Sequence, residues 1–162
     1  MVFLVSKVAA QRSPDFTIGD PDDPYLMRWF IVPRNRIFNI YLHRFLRSDH
    51  DFALHDHPWW NASWLLDGNY IEVVPLDNAD PSGLTISKYR SAGELLFRRA
   101  DQAHRVQLHV DGTGRPRPVW TLFLTGPKLR EWGFWCPAGW KHWKKFVKNA
   151  PGSREVGVGC DD

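Results

Sequence analysis

Cysteine and methionine are scarce, two of each in 162 residues. Cys136 lies in an apolar run and Cys160 within the last three residues, so the two thiols set up no disulfide framework; Cys136 reads as a small core residue. No apolar run approaches the ~18 residues that a membrane span requires. The opening MVFLVSKVAAQRSPDF is too short in its apolar part for a secretory signal and is interrupted by Lys7. A soluble, cytoplasmic protein without a membrane partner is therefore expected. Internal repeats, a P-loop and a Gly-rich dinucleotide fingerprint are also missing, as is any serine–histidine–acid arrangement.

Charge is nearly balanced, at a formal +3 with a pI near 9.0. Much of the basic excess lies in Lys141, Lys144, Lys145 and Lys148, interleaved with Trp140, Trp143 and Phe146. Such interleaving can bind single-stranded nucleic acid, but a charge run is more often a solvated face, and no nucleic-acid partner is expected. A mildly basic pocket for an anionic small molecule suits the same composition. What the chain has in quantity is aromatic: nine Trp, ten Phe and four Tyr, the stock of broad sheets and ring-lined pockets.

Strand signals dominate. β-Branched and aromatic runs occupy Trp29–Val32 and Arg36–Phe45, followed by Phe52–His57 and Asn61–Leu66. Asp67-Gly68-Asn69 predicts a hairpin, with Tyr70–Pro75 as its return strand. Further strands are expected at Leu84–Tyr89, Glu94–Arg98, His104–His109, Val119–Thr125 and Trp132–Cys136, with loops at 76–83 and 111–118. Gly139–Phe146 fits a strand or a short helix, and helix is otherwise plausible only before Asp15 and around the lysines near 141–148. The expectation is an all-β single domain with little helix over residues 1–148, followed by a flexible tail at 149–162.

Chemistry concentrates at LHDHPWW, Leu54–Trp60. On a strand, His55 and His57 point to one face and Asp56 to the other, which brings two imidazoles close enough to share a metal ion. A third donor must come from elsewhere, and His104 at the start of a later strand is the best placed. His43, inside the apolar IYLHRF, reads as structural or as support to the ligands, and His50, His109 and His142 as surface or hydrogen-bonded residues.

These residues resemble the two motifs of the cupin superfamily. His55 and His57 match the paired histidines of the first motif and Gly68 its closing glycine; Gly93 and His104 match the glycine and histidine of the second in type and spacing. The match covers about residues 49–108 and fails at supporting positions: Asp49 replaces a glycine, Asn61 a glutamate, Arg99 a proline, Asp101 a glycine and Leu108 an asparagine. The resemblance implies a double-stranded β-helix, or jelly-roll barrel, holding a mononuclear divalent metal on His55, His57 and His104. With Asn61 in place of the carboxylate, the ligand set is similar to the three-histidine type of cysteine dioxygenase-like cupins. That likeness implies Fe(II), with Zn, Mn or Ni as alternatives, and a dioxygenase whose small polar or anionic substrate and O2 occupy adjacent coordination positions.

Asn61 is then a weak oxygen ligand or a donor to substrate, and Arg130 a carboxylate or phosphate clamp. Trp59, Trp120 and one of Arg98 and Arg99 complete the expected substrate pocket. An arginine turned inward needs an anion, either a ligand or one of Glu72, Glu94 and Glu131. The tryptophans between 132 and 143 read as a lid closing a barrel end, a dimer interface or a substrate gate. A homodimer is expected by the same analogy. Two other classes remain open: a cupin isomerase, epimerase or lyase using a Lewis-acidic metal, and a non-catalytic cupin that binds a small ligand.

Overall fold

A computed structural model describes residues 11–20, 22–49, 52–146 and 159–160. Twelve strands account for nearly all of its regular structure. In chain order they are β1 Phe16–Gly19, β2 Pro24–Phe30, β3 Asn39–Phe45, β4 Leu54–His55, β5 Asn61–Asp67 and β6 Asn69–Pro75. There follow β7 Thr85–Ser91, β8 Leu95–Arg98, β9 Arg105–Leu108, β10 Val119–Thr125, β11 Gly133–Cys136 and β12 Gly139–His142. A single helical turn, α1 Trp143–Phe146, comes after β12.

The strands form two walls. One is a six-stranded sheet in the order β1-β2-β3-β10-β5-β8. The other consists of β7-β6-β9 and β12-β11-β4, joined where His55 and His104 exchange backbone hydrogen bonds of 2.9 and 3.0 Å. Every strand pairing is antiparallel. From β3 to β6, and again from β7 to β11, successive strands alternate between the walls, the arrangement of a double-stranded β-helix, as the motif spacing implies.

Asp67-Gly68-Asn69 is the clearest departure from expectation. β5 and β6 do not pair as a hairpin: β5 lies between β10 and β8, while β6 lies between β7 and β9. Gly68 is the corner at which the chain leaves one wall for the other. It adopts φ +85, and a Cβ there would stand 3.0 Å from Val119 Cγ2, so both backbone conformation and space favour glycine. The true hairpin joins β6 to β7 across the loop at 76–84, with Pro75 opposite Thr85. β10 has its expected bounds, whereas Phe52–His57 contributes only the two residues of β4. β1 was not foreseen, because FTIG is four residues long and carries no alternating signal. The 139–146 segment is both things expected of it, a strand and then a helical turn. The helix expected before Asp15 lies mostly outside the described residues, as does the 149–162 tail apart from Gly159 and Cys160.

Alternation along each strand sets the packing. Leu65, Tyr70, Val106, Leu108 and Val119 fill the interior near the Gly68 corner, each stabilising the fold by roughly 1.5–3 kcal/mol through burial. Trp29 and Leu42 point outward and pack with Met27, Leu66 and Trp120. A third cluster holds Ala53, Phe134, Cys136 and Phe146 against Trp132, Trp143 and Cys160. The expectation of two unlinked thiols is corrected here: Cys136 is buried in the core, but it is disulfide-bonded to Cys160. A pairing that joins a strand to the far end of the chain leaves no spacing motif in the sequence. Among the described residues, no helix is long and apolar enough to cross a membrane.

Candidate metal centre

His55 ends β4, His57 follows two residues later, and His104 immediately precedes β9. One nitrogen from each of the three rings lies within 4.8 Å of the others. Ring centroids are 5.1 Å apart for His55–His57, 4.8 Å for His55–His104 and 5.2 Å for His57–His104. The Nε2 atoms of His57 and His104 face each other at 2.9 Å. Two donors held about 2.1 Å from one ion and at right angles would lie roughly 3 Å apart, so the donor set fits a shared divalent metal.

The surroundings of His57 and His104 favour neutral rings, the form that ligates. Burial first, then the neighbouring imidazoles and Arg98, hold His57 well below its ordinary pKa. Burial and Arg98 push His104 down to about 4, against the opposing pull of Glu72. Carboxylates stand behind two of the rings. Glu72 Oε1 lies 3.3 Å from His104 Nδ1, in an approach too oblique for a well-formed hydrogen bond. Asp49 Oδ2 lies 3.7 Å from His55 Nδ1 and accepts a 2.6 Å hydrogen bond from Val106 N, and Tyr25 Oη donates to the other oxygen. A carboxylate at Nδ1 favours the tautomer that leaves the Nε2 lone pair for a metal. Burial would raise the pKa of Glu72; His104 and Arg98 overcome this and hold it far below the usual carboxylate range.

Asp56 faces away from the histidines, as strand alternation predicts, and is fully buried. It accepts hydrogen bonds from Gly133 N at 2.8 Å, Trp140 Nε1 at 3.0 Å and Arg130 Nη1 at 2.6 Å. The residue between the two ligands thus anchors the tryptophan-rich segment, which folds as the β11–β12 hairpin docked on β4. Trp132, Phe134 and Trp143 from this segment line a cavity of about 750 Å³ that also reaches all three histidines. That volume suits a small-molecule site.

The remaining expected pocket residues separate into two groups. Trp59 and Arg98 line the cavity. Arg98 is 7% exposed, and its Nε donates to Glu72 at 2.7 Å, so the anion that an inward arginine requires is Glu72 rather than a ligand. Asn61 is on the inner face of β5 but fully buried and outside the residues that line the cavity, with neither side-chain oxygen nor nitrogen partnered. The structure does not bring the others to the cavity. Trp120 lies on the outer face against Trp29, at 5.5 Å between centroids. The Arg99 side chain, 67% exposed, pairs with Asp101. Arg130 is committed to Asp56 and borders a separate outer groove with Trp60, Phe97 and Leu129.

Among the other histidines, His43 is buried in the cavity wall. His109 lies 5.7 Å from the Tyr89 ring in a tilted contact, His142 faces Glu131 at 3.1 Å, and His50 is outside the described residues. Sequence reasoning did not single out Asp49 as a partner of His55, nor Arg28 and Tyr25 as cavity residues. Asp49 had registered only as a departure from a motif, and nothing marked β2 as a cavity strand.

No protein-family model and no curated protein matches the chain. Solved structures do. A Ralstonia eutropha protein provisionally assigned as a mannose-6-phosphate isomerase is 18% identical with a TM-score of 0.50, over 70% of this chain and 92% of its own. A conserved Klebsiella pneumoniae protein with a double-stranded β-helix domain is 14% identical with a TM-score of 0.49, over 71% and 83%. A cupin superfamily protein from Desulfitobacterium hafniense is 10% identical with a TM-score of 0.45, over 64% and 78%. At such identities the likeness is one of fold alone; the strand order of this chain is itself that of a double-stranded β-helix.

Proposed function

We propose that the protein is a mononuclear, non-haem Fe(II) oxygenase, acting as a dioxygenase on a small polar or anionic molecule. The observation that carries this reading is three converging imidazoles, without a carboxylate among the donors, opening onto a small-molecule cavity. Three neutral ligands preserve the full positive charge of a divalent ion and leave coordination positions for substrate and O2. The chain's own residues do the remainder: Glu72 and Asp49 orient rings, the aromatic wall excludes water, and Trp59 on the cavity wall has an indole N–H without a protein partner. Zn, Mn or Ni would fit the same donors and would suit an isomerase, epimerase or lyase; a cavity that binds without turnover would make the protein a small-ligand binder.

Metal analysis of protein purified without oxygen tests the centre. Stoichiometric iron is expected in the parent and less than about a tenth of it in His104→Ala, since loss of one of three ligands removes most of the affinity. Undiminished metal in that variant would exclude His104 as a ligand. Oxygen uptake by the iron form with a panel of small carboxylic acids is expected; turnover that persists without oxygen and with Zn in place of iron would establish the Lewis-acid class instead.

A further inference from the structure

The six-stranded wall facing the histidines carries polar groups that the fold itself does not satisfy. Arg28 pairs with His43 across β2 and β3, and His43 with Thr121 across β3 and β10, so the three form one row on the inner face. All three line the cavity. His43 Nδ1 and Thr121 Oγ1 are buried without a hydrogen-bond partner, a condition that ordinarily costs about 1–3 kcal/mol per group. The cavity's other arginines are neutralised: Arg98 by Glu72, and Arg47 by Asp23 at 3.1 Å. Arg28 has no carboxylate partner among the described residues. Its Nε donates to His43 Nε2 at 2.8 Å, and its guanidinium lies 4.7 Å over the Tyr41 ring.

This arrangement is built to hold Arg28 still. His43 accepts through Nε2, so its proton belongs on Nδ1 and the ring is neutral. Burial and the Arg28 charge keep it so, by holding its pKa well below the ordinary value. Tyr41 stacks on the His43 ring at 5.8 Å and 8°, and Phe123 stacks on it at 5.1 Å. With Nε engaged, the two Nη groups remain as a planar fork for an anion. Phe123 also stands 6.1 Å from the His57 ring, so the breadth of one aromatic ring separates this row from the histidine cluster.

We propose that Arg28 anchors the carboxylate of a small, two-ended substrate whose other end reaches the histidine cluster, with His43 as the positioning residue that orients the guanidinium. A single unpaired guanidinium matches a monoanion, and so favours a carboxylate over a phosphate dianion. The substrate body would lie along Phe123. This rests on the reading of the cavity as the substrate chamber of a metal centre, and it shifts the clamp expected of Arg130 to a residue of the opposite wall.

Benzoate and its neutral isostere benzamide are suitable probes, titrated calorimetrically into metal-free protein so that the outcome does not depend on the metal. Benzoate is expected to bind at least about tenfold tighter than benzamide. Arg28→Met should bring the ratio to within about twofold, Arg28→Lys should retain part of it, and His43→Leu should reduce it while Arg28 is still present. His104→Ala should keep the preference while losing metal, so failure of the metal reading and failure of this one are distinguishable. Equal affinities in the parent protein would overturn the proposal even if no variant folds. An undiminished preference in folded Arg28→Met would do the same.

Discussion

Replacing Glu72 with Gln is the most revealing perturbation of the metal side of the cavity. The carboxylate is 2% exposed. It accepts from Arg98 Nε at 2.7 Å and Arg90 Nε at 2.8 Å, and lies 3.3 Å from His104 Nδ1. Glutamine keeps the shape and one acceptor but removes the charge that compensates a buried arginine. Breaking such a pair from one side costs on the order of 3–5 kcal/mol; with one acceptor retained, a loss of about 3 kcal/mol is expected in urea denaturation of the metal-free protein. The same change removes the carboxylate behind His104, and competition titration should show metal affinity reduced roughly 10- to 100-fold. The double variant Glu72→Met/Arg98→Met separates the two effects. It should recover most of the stability, because paired apolar replacements avoid the desolvation penalty, yet it should not recover metal affinity. A Glu72→Gln protein with stability within about 0.5 kcal/mol of the parent and unchanged metal binding would refute this account of the site.

The metal-free protein should lose stability in acid in two stages. His43, His57 and His104 are held below the ordinary value of 6.5, so the unfolded chain takes up protons first as pH falls below it, and stability drops by up to about 1.4 kcal/mol per pH unit for each ring. For His104 that window runs from 6.5 down to about 4. Glu72, whose folded pKa is depressed, contributes stability that is present above 4.5 and erodes as pH falls further. Melting temperatures flat between pH 7 and 4 would contradict the histidine stage, and the absence of further loss below that range would contradict the Glu72 stage. Reducing the Cys136–Cys160 bond, which closes a separation of 24 residues, should cost about 3 kcal/mol; two free thiols titrated in protein never exposed to reductant would show that the bond does not form. Arg130→Ala should lower thermal stability by exposing the Asp56 charge without changing benzoate affinity, whereas a selective loss of benzoate binding would restore the clamp role to Arg130.

Legibility followed the range of the physical signal. Alternation is local, so the bounds of β10 and the opposed aims of His55 and Asp56 could be read from neighbouring residues alone. The spacing of Gly93 and His104 carried the double-stranded β-helix across a longer stretch. Gly68 shows the limit: Asp-Gly signals a turn but does not state whether the next strand returns along its neighbour or crosses to the other wall, since partners 32 to 64 residues away decide that. Arginine identity was equally ambiguous. Arg98, Arg99 and Arg130 have the same chemistry on paper, and only the positions of Glu72, Asp101 and Asp56 assign each its counter-ion. Asp49 and Arg28 escaped notice because they act from segments that resemble no motif.

The mutual backbone bridge between His55 and His104 has a mechanical consequence. It is the seam between the two halves of one wall, so an ion captured there would rivet that seam with side-chain bonds alongside the amide pair. Metal occupancy and barrel cohesion would then rise and fall together. Substitutions on β11 or β6 that replace no donor atom would then change how tightly the ion is kept.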